Sequence, residues 1–290
     1  MLNLTKMIKR IKINFLFTLF ALLASVAYAK EITVGFGHHK HPYVMLDEYI
    51  QGDEGHEDHN GIEYSIIRQA FLLMGEELIA KSIAPKNLKR AIKKFRRVDA
   101  VSGVKKSNDK YFYSDPILEI ENIAISKTSQ EIKLDSISNL APFQISSRRG
   151  SYTTLGRGFN RLYHPKKGSH KTRHTQYDRD LDQHIDFWKP GSEVVMITNR
   201  LSFEHYRNLL SESYHTSEEV TLSPIFPSSS RYYIAFRSRE LRNEFNEALA
   251  TLKFEGTYKR IFRHYSYDSP ISKYHKPNFN KVEELTLTTK

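Results

Sequence analysis

The residues best suited to chemistry in this chain are the histidines and carboxylates near its start. His38, His39, His41, His56 and His59 lie close together in sequence, with Asp53, Glu54, Glu57 and Asp58 among them. Imidazole and carboxylate groups are ligands for zinc, nickel or copper. The run His56-Glu57-Asp58-His59 nearly spells the two-histidine helix of zinc proteases, but its histidines are three residues apart instead of four. Gly52, Gly55, Asn60 and Gly61 flank it, and such turn formers place the run in a loop. A solvated polar loop is the simpler reading, so neither a metal nor any other cofactor is assigned.

Other chemistries find less support. Cysteine is absent, which removes thiol nucleophiles and disulfides together. Neither a G-x-S-x-G elbow nor a phosphate-cradling glycine loop occurs. Asp109 and Asp115 are the exceptions among candidate cleft loops that hold mostly hydroxyls, lysine and asparagine, and Asp115, beside Pro116, reads as a turn residue. The chain is therefore not read as an enzyme. One binding signal is Arg149-Gly150-Ser151-Tyr152-Thr153 after a strand-like run. A helix starting there would offer free N–H groups and its dipole to an anion. An ordinary Ser or Thr N-cap accounts for the same residues.

The second signal is Val98–Pro116, VDAVSGVKKSNDKYFYSDP. It reads as a short apolar strand stopping at Gly103, a basic loop from Lys105 to Lys110, then aromatic residues running into a proline. Loops leaving the carboxyl ends of strands are where ligands bind in open α/β sheets, so this loop is expected to form one wall of a cleft.

The elements that must hold these residues follow from periodicity. Lys6, Lys9, Arg10 and Lys12 precede an apolar run to Val26 and an Ala27-Tyr28-Ala29 end. These are the parts of a cleavable export signal, with an apolar core too short to span a membrane. Removing its four basic residues lowers the net charge from +11 to about +7. The charge is scattered apart from a run at Lys166–Arg179, which argues against nucleic acid. Glu31–Phe36, Leu78–Ser82 and Val98–Val101 read as strands, separated by helical stripes at Ile62–Met74 and Leu88–Phe95. Strand–helix alternation implies a parallel sheet with crossovers. Ile120–Ser126, Phe143–Ser147, Glu193–Thr198 and Tyr232–Phe236 read as further strands, Phe203–Leu210 and Leu241–Leu252 as helices. Tyr163–Tyr177 lacks periodicity and is expected to be a surface loop or insertion.

In order and spacing, these pieces resemble the periplasmic solute-binding proteins of the polar amino-acid type, family 3. The resemblance rests on Pro42-Tyr43 after the first strand, Gly61-Ile62-Glu63-Tyr64, VDAVSGV followed by YSDP, Arg149-Gly150-Ser151-Tyr152, EVVMITNR, and YYIAF followed by a helix and Gly256. It covers Glu31 to about Tyr265. It implies an α/β fold of two lobes, each a mostly parallel sheet flanked by helices, joined by two crossover strands. It also implies closure about a hinge, the motion by which periplasmic binding proteins enclose their ligands. The implied division is a leader at 1–29, a discontinuous first lobe at 30–122 with 232–265, a second lobe at 123–231, and a tail at 266–290. The implied crossovers lie near Ile120–Lys127 and Pro224–Tyr232.

Position by position, the resemblance implies a ligand site of Tyr43, Ser102, Gly103, Lys105, Asn108, Arg149, Ser151, Tyr152, Thr153, Thr198 and Asn199. Tyr43 offers a flat apolar face with a polar tip, or serves as a staple packing its own loop. Two positions depart from the family. Its carboxylate-gripping arginine is replaced by Ser107 or Asn108, and its ammonium-binding aspartate by Thr198 and Asn199. The expected ligand is therefore small, polar and anionic or carboxylate-bearing, rather than an ordinary α-amino acid. The expected partner is an ABC transporter permease or a sensor kinase, with the protein itself a periplasmic monomer; a dehydratase on the same fold is the enzymatic alternative.

Overall fold

A computed structural model describes residues 29–37, 41–46, 59–94, 97–107, 111–226 and 229–267. The leader up to residue 28, His38, His39, the acidic loop with His56, Asn108 and most of the tail lie outside the described residues. In chain order the elements are β1 (Glu31–Gly37), β2 (Met45–Leu46), β3 (His59–Asn60), α1 (Ile62–Met74), β4 (Glu77–Ile83), α2 (Pro85–Lys94), β5 (Ala100–Val104), β6 (Phe112–Tyr113), β7 (Leu118–Ile120) and β8 (Asn122–Lys127). Then follow β9 (Ile145–Arg148), α3 (Arg157–Tyr163), β10 (His174–Tyr177), α4 (Asp180–Trp188), β11 (Val195–Asn199), α5 (Arg200–Leu209), β12 (Val220–Ser223), β13 (Ser230–Phe236), α6 (Arg239–Phe254) and α7 (Thr257–Tyr267).

Two sheets result. The first runs β4-β1-β5-β13-β6, with β7 also paired to β13; the second runs β10-β9-β11-β8-β12. Both are mixed rather than mostly parallel. β4, β1 and β5 are parallel, as are β10, β9 and β11, while β13 and β8 enter antiparallel to their neighbours. The late strand β13 thus returns to the first sheet, and at the crossing it lies against β7, Ser230 opposite Ile120.

Each sheet buries both faces, and the two-residue period of a strand assigns its side chains to them. In β5, Ala100 joins the cluster of Phe36, Ile66, Phe71, Phe245 and Leu249 under α1 and α6, while Val101 joins Ile92, Val98 and Tyr113 on the α2 side. In β11, Val195 and Ile197 pack on Phe159 and Tyr163 of α3, and Met196 on Phe187, Trp188 and Phe203 of α4 and α5. Burying each large side chain contributes about 2–3 kcal/mol. Local signals end the helices as their residues require. Gly75 closes α1 in the left-handed conformation (φ 74), and Ser238 caps α6 by accepting the Leu241 N–H at 3.1 Å.

Two further expectations are corrected. Gly103 does not stop its strand: β5 runs through it to Val104, and its φ of +70 falls at the register shift of the β5–β13 pairing, where Ser102 and Gly103 stand against Ile234 alone. Residues 163–177 are not a loose insertion. Tyr163 is fully buried, His174–Tyr177 forms the edge strand β10, and the 164–171 segment folds back so tightly that a Cβ on Gly168 would lie 2.5 Å from the Leu162 carbonyl oxygen. Helix α4 and strand β12 carry no clear stripe in sequence and were not expected.

Candidate functional site

The first candidate wall is built where β1 and β5 end. The first N–H groups of α1 have no partner inside the helix, and here they hold the Tyr43 loop: Ile62 N donates to the Pro42 carbonyl at 3.0 Å and Glu63 N to the Tyr43 carbonyl at 2.9 Å. Gly61 makes this approach possible. Its φ is +108, and a Cβ there would lie 2.4 Å from the Tyr43 oxygen. Glu63, only 3 % exposed, accepts a hydrogen bond from Ser102 Oγ at 2.5 Å, and its Oε1 would lie 3.1 Å from a Cβ on Gly103. Lys105 reaches Ser230 Oγ at 3.1 Å and lies over the Tyr232 ring, 5.5 Å from its centroid. Tyr43 is buried, and its phenol is pushed far up, first by burial and then by the charges of Tyr232 and Tyr258.

The second wall uses β9, β11 and the helices after them. Gln183 of α4 ties the two strands together, donating to the Ser146 and Ile197 carbonyls at 3.1 Å each. Arg148 donates to the buried Asp180 at 2.5 Å. Its neighbour Arg149 points elsewhere and makes a two-bond pair with Asp178, both side chains well exposed at 62 % and 70 %. That bond, first among the causes, holds the Asp178 carboxyl below its ordinary value.

No helix starts at Gly150. Ser151–Thr153 is a single 3-10 turn, and α3 begins only at Arg157. The turn consumes its own polar groups: Gly150 N donates to Gln176 Oε1 at 3.0 Å, Ser151 Oγ to the Arg148 carbonyl at 2.6 Å and Thr153 Oγ1 to the Gly150 carbonyl at 2.8 Å. Tyr152 packs beside the His164 ring at 4.9 Å. The helix-dipole argument for an anion at this turn therefore fails.

The walls meet through other residues. Asn199, at the end of β11, caps α5 by accepting the Ser202 N–H at 3.0 Å, and the same Oδ1 accepts the Tyr43 hydroxyl at 2.9 Å. Ser202 Oγ donates to the His41 carbonyl at 2.6 Å, and the His41 ring stacks on His205. Thr198 is half-buried beside them. Of the expected residues, the structure joins Tyr43 directly to Asn199 and places Ser102 and Gly103 on Glu63. Among the described residues, Arg149, Ser151, Tyr152 and Thr153 make no hydrogen bond to the first lobe. Sequence reasoning missed Glu63, His41, Ser202 and His205 as parts of these walls; only the Asn199-x-x-Ser202 spacing of an N-cap pointed towards one of them. No group of three or more metal-ligating side chains is assembled among the described residues, and no described helix is long and apolar enough to cross a membrane.

No protein-family model matches the chain, and no curated protein sequence does. Solved structures do match. An ancestral arginine-binding protein bound to arginine is 16 % identical with a TM-score of 0.61, covering 81 % of this chain and 97 % of its own. A polar amino-acid ABC transporter substrate-binding protein from Streptococcus thermophilus is 17 % identical with a TM-score of 0.55, covering 81 % and 85 %. A histidine kinase sensor domain with similarity to periplasmic binding proteins is 16 % identical with a TM-score of 0.62, covering 82 % and 96 %. The chain has the two-lobed periplasmic binding protein fold. Its structural neighbours are amino-acid ABC transporter substrate-binding proteins and a kinase sensor domain, over most of its length.

Proposed function

We propose that the chain is an exported solute-binding protein that closes two lobes, 30–122 with 232–265 and 123–231, on a small polar, carboxylate-bearing ligand, and performs no chemistry on it. The observation that carries this reading is the meeting of strand-end loops across the lobes, Tyr43 and His41 after β1 against Asn199 and Ser202 after β11. Ligand sites of open α/β sheets lie outside such strand ends. Tyr43, Ser102, Gly103, Lys105, Thr198 and Asn199 are the residues proposed to line the site, with Lys105 the cation nearest a carboxylate. Arg149 contributes less than its sequence position promised, because Asp178 already holds it.

Amino acids head the compounds to try, since neighbours of this fold were solved with arginine, glutamine and histidine bound. The test is a thermal-shift screen of the chain from residue 30 against amino acids, organic acids, sugars and metals. A ligand at 100 times its Kd stabilises by about 2.7 kcal/mol. A screen in which no compound raises the melting temperature would sink the proposal.

Delivery to an ABC permease is the leading role, and the kinase sensor neighbour favours sensing as the second. A deletion strain separates them. Lost uptake of the ligand means transport; intact uptake with an altered transcriptional response means sensing.

A further inference from the structure

The loops that meet across the lobes carry a ring cluster outside the residues proposed to line the ligand site. His41, from the first lobe, stacks on His205 of α5 with centroids 4.9 Å apart and planes 17° from parallel. His205 lies 5.1 Å from Tyr206, and Tyr206 lies 4.5 Å from His184 of α4. His41 also meets Tyr206 edge-on at 5.7 Å. Two direct bonds hold the stack in register, Ser202 Oγ to the His41 carbonyl and Tyr43 OH to Asn199 Oδ1. One imidazole of the cluster thus belongs to the first lobe and two to the second.

We propose that this histidine stack makes closure of the lobes proton-dependent, held at neutral pH and released by acid. The proposal deepens the reading given above and rests on its premise that the lobes open and close about this cleft. Neutral imidazoles stack, whereas two imidazolium rings so placed repel, and burial denies each charge its water.

Among the described residues, the charged groups around His184 and His205 offer little compensation. Asp180 of α4 accepts from Arg148 of β9 at 2.5 Å, while its backbone carbonyl takes the Nδ1–H of His184. That bond leaves His184 Nε2 unprotonated and buried, without a hydrogen-bond partner. Asp182 and Asp186, also on α4, pair with Arg179 and Lys189. Arg207 of α5 turns away, onto the Trp188 ring and the carbonyls of Thr216 and Glu218. Glu204 is the acid next to His205 on α5, and Tyr43 is the phenol that the first lobe brings.

His205 is pushed down to about 4, first by burial and then by the charges of His41 and His184. Opening takes His41 away from His205 and admits water, so the open form binds more protons than the closed one. Closure is therefore at full strength above the ordinary histidine value of about 6.5 and is lost as pH falls from there towards the depressed value. His184, also pushed down to about 4 and chiefly by burial, stays inside the second lobe in both forms, so it remains neutral over this range and is not part of the switch.

The chain has no cysteine, so Lys93→Cys and Glu212→Cys, both at exposed positions, place one spin label on each lobe. Pulsed electron paramagnetic resonance then reads the interlobe distance from pH 8 to pH 5, with far-UV circular dichroism at each step. The expected result is a short-distance population that is larger at pH 8 than at pH 5, with the helical signal unchanged. In His205→Phe and His41→Phe, which keep a ring but no titrating nitrogen, the short distance persists at pH 5. A wild-type distance that stays constant over this range overturns the proposal, as does opening of both variants at pH 5 to the wild-type extent. Loss of the helical signal along with the short distance also overturns it, because acid is then unfolding the chain. No ligand enters the measurement, so an empty ligand screen would sink the solute-binding reading and leave this result standing.

Discussion

In the first lobe, Gly61 sits at φ +108 with backbone crowding the place where a side chain would go; in the second, Gly150 sits at φ +83 with nothing within 4 Å. Both glycines stand at a candidate cleft wall, Gly61 at the start of a long helix and Gly150 at the start of a single 3-10 turn. One glycine is demanded by space as well as backbone, the other by backbone alone. The acids and bases nearby divide in the same way. Glu63 is sealed behind Ser102, while Arg149 and Asp178 face solvent. The first wall is a packed structure on which a ligand would rest, and the turn expected to grip an anion in the second wall is a surface feature.

The largest test of this contrast is Gly61→Ala against Gly150→Ala. Strain plus the clash with Tyr43 should cost Gly61→Ala about 3 kcal/mol in urea unfolding, and strain alone should cost Gly150→Ala about 1 kcal/mol. Equal costs would show that space plays no part. Glu63→Ala strips the acceptor from a buried Ser102 and should cost about 2 kcal/mol by the same measurement. Arg148→Ala leaves Asp180 buried without its counter-charge; with Arg148 itself partly in water, about 1–2 kcal/mol is expected. Arg149→Ala should leave the unfolding midpoint where it was, and a clear loss there would restore Arg149 to the structural part of the site. Tyr43→Phe removes one bond between the lobes and should weaken closure by about 1 kcal/mol, read as a broader interlobe distance distribution at pH 8.

Much of the architecture was legible in advance. The stripe Ile62, Ile66, Ile67, Ala70, Phe71 buries as a 3.6-residue period requires, and the alternation in β5 and β11 sends neighbours to opposite faces. Helix α4 was not legible because half its buried face is polar, with Gln183 and His184 spent on internal bonds that a hydrophobic count cannot see. The 163–177 segment misled for a related reason. Its order comes from Tyr163, His174 and a backbone fold-back over Gly168, none of which repeats with any period.

The candidate site was legible by position and not by role. Arg148 and Arg149 are neighbours of identical type, yet strand geometry sends one to Asp180 and the other to solvent. Nothing local distinguishes them. Likewise Asn199 was visible as the residue ending a buried strand, but its bond to Tyr43 joins positions 156 residues apart.

Taken alone, the sequence determined most of the longer elements and their order, because burial periodicity and turn chemistry act over a few residues; the return of the YYIAF strand to the first sheet came from the family resemblance. The tertiary structure alone decided which strand-end groups face one another across the lobes, which cations are already held by carboxylates, and that His41 lies on His205. Those contacts depend on how two separately folded sheets are set against each other, and that arrangement is written in no short stretch of chain.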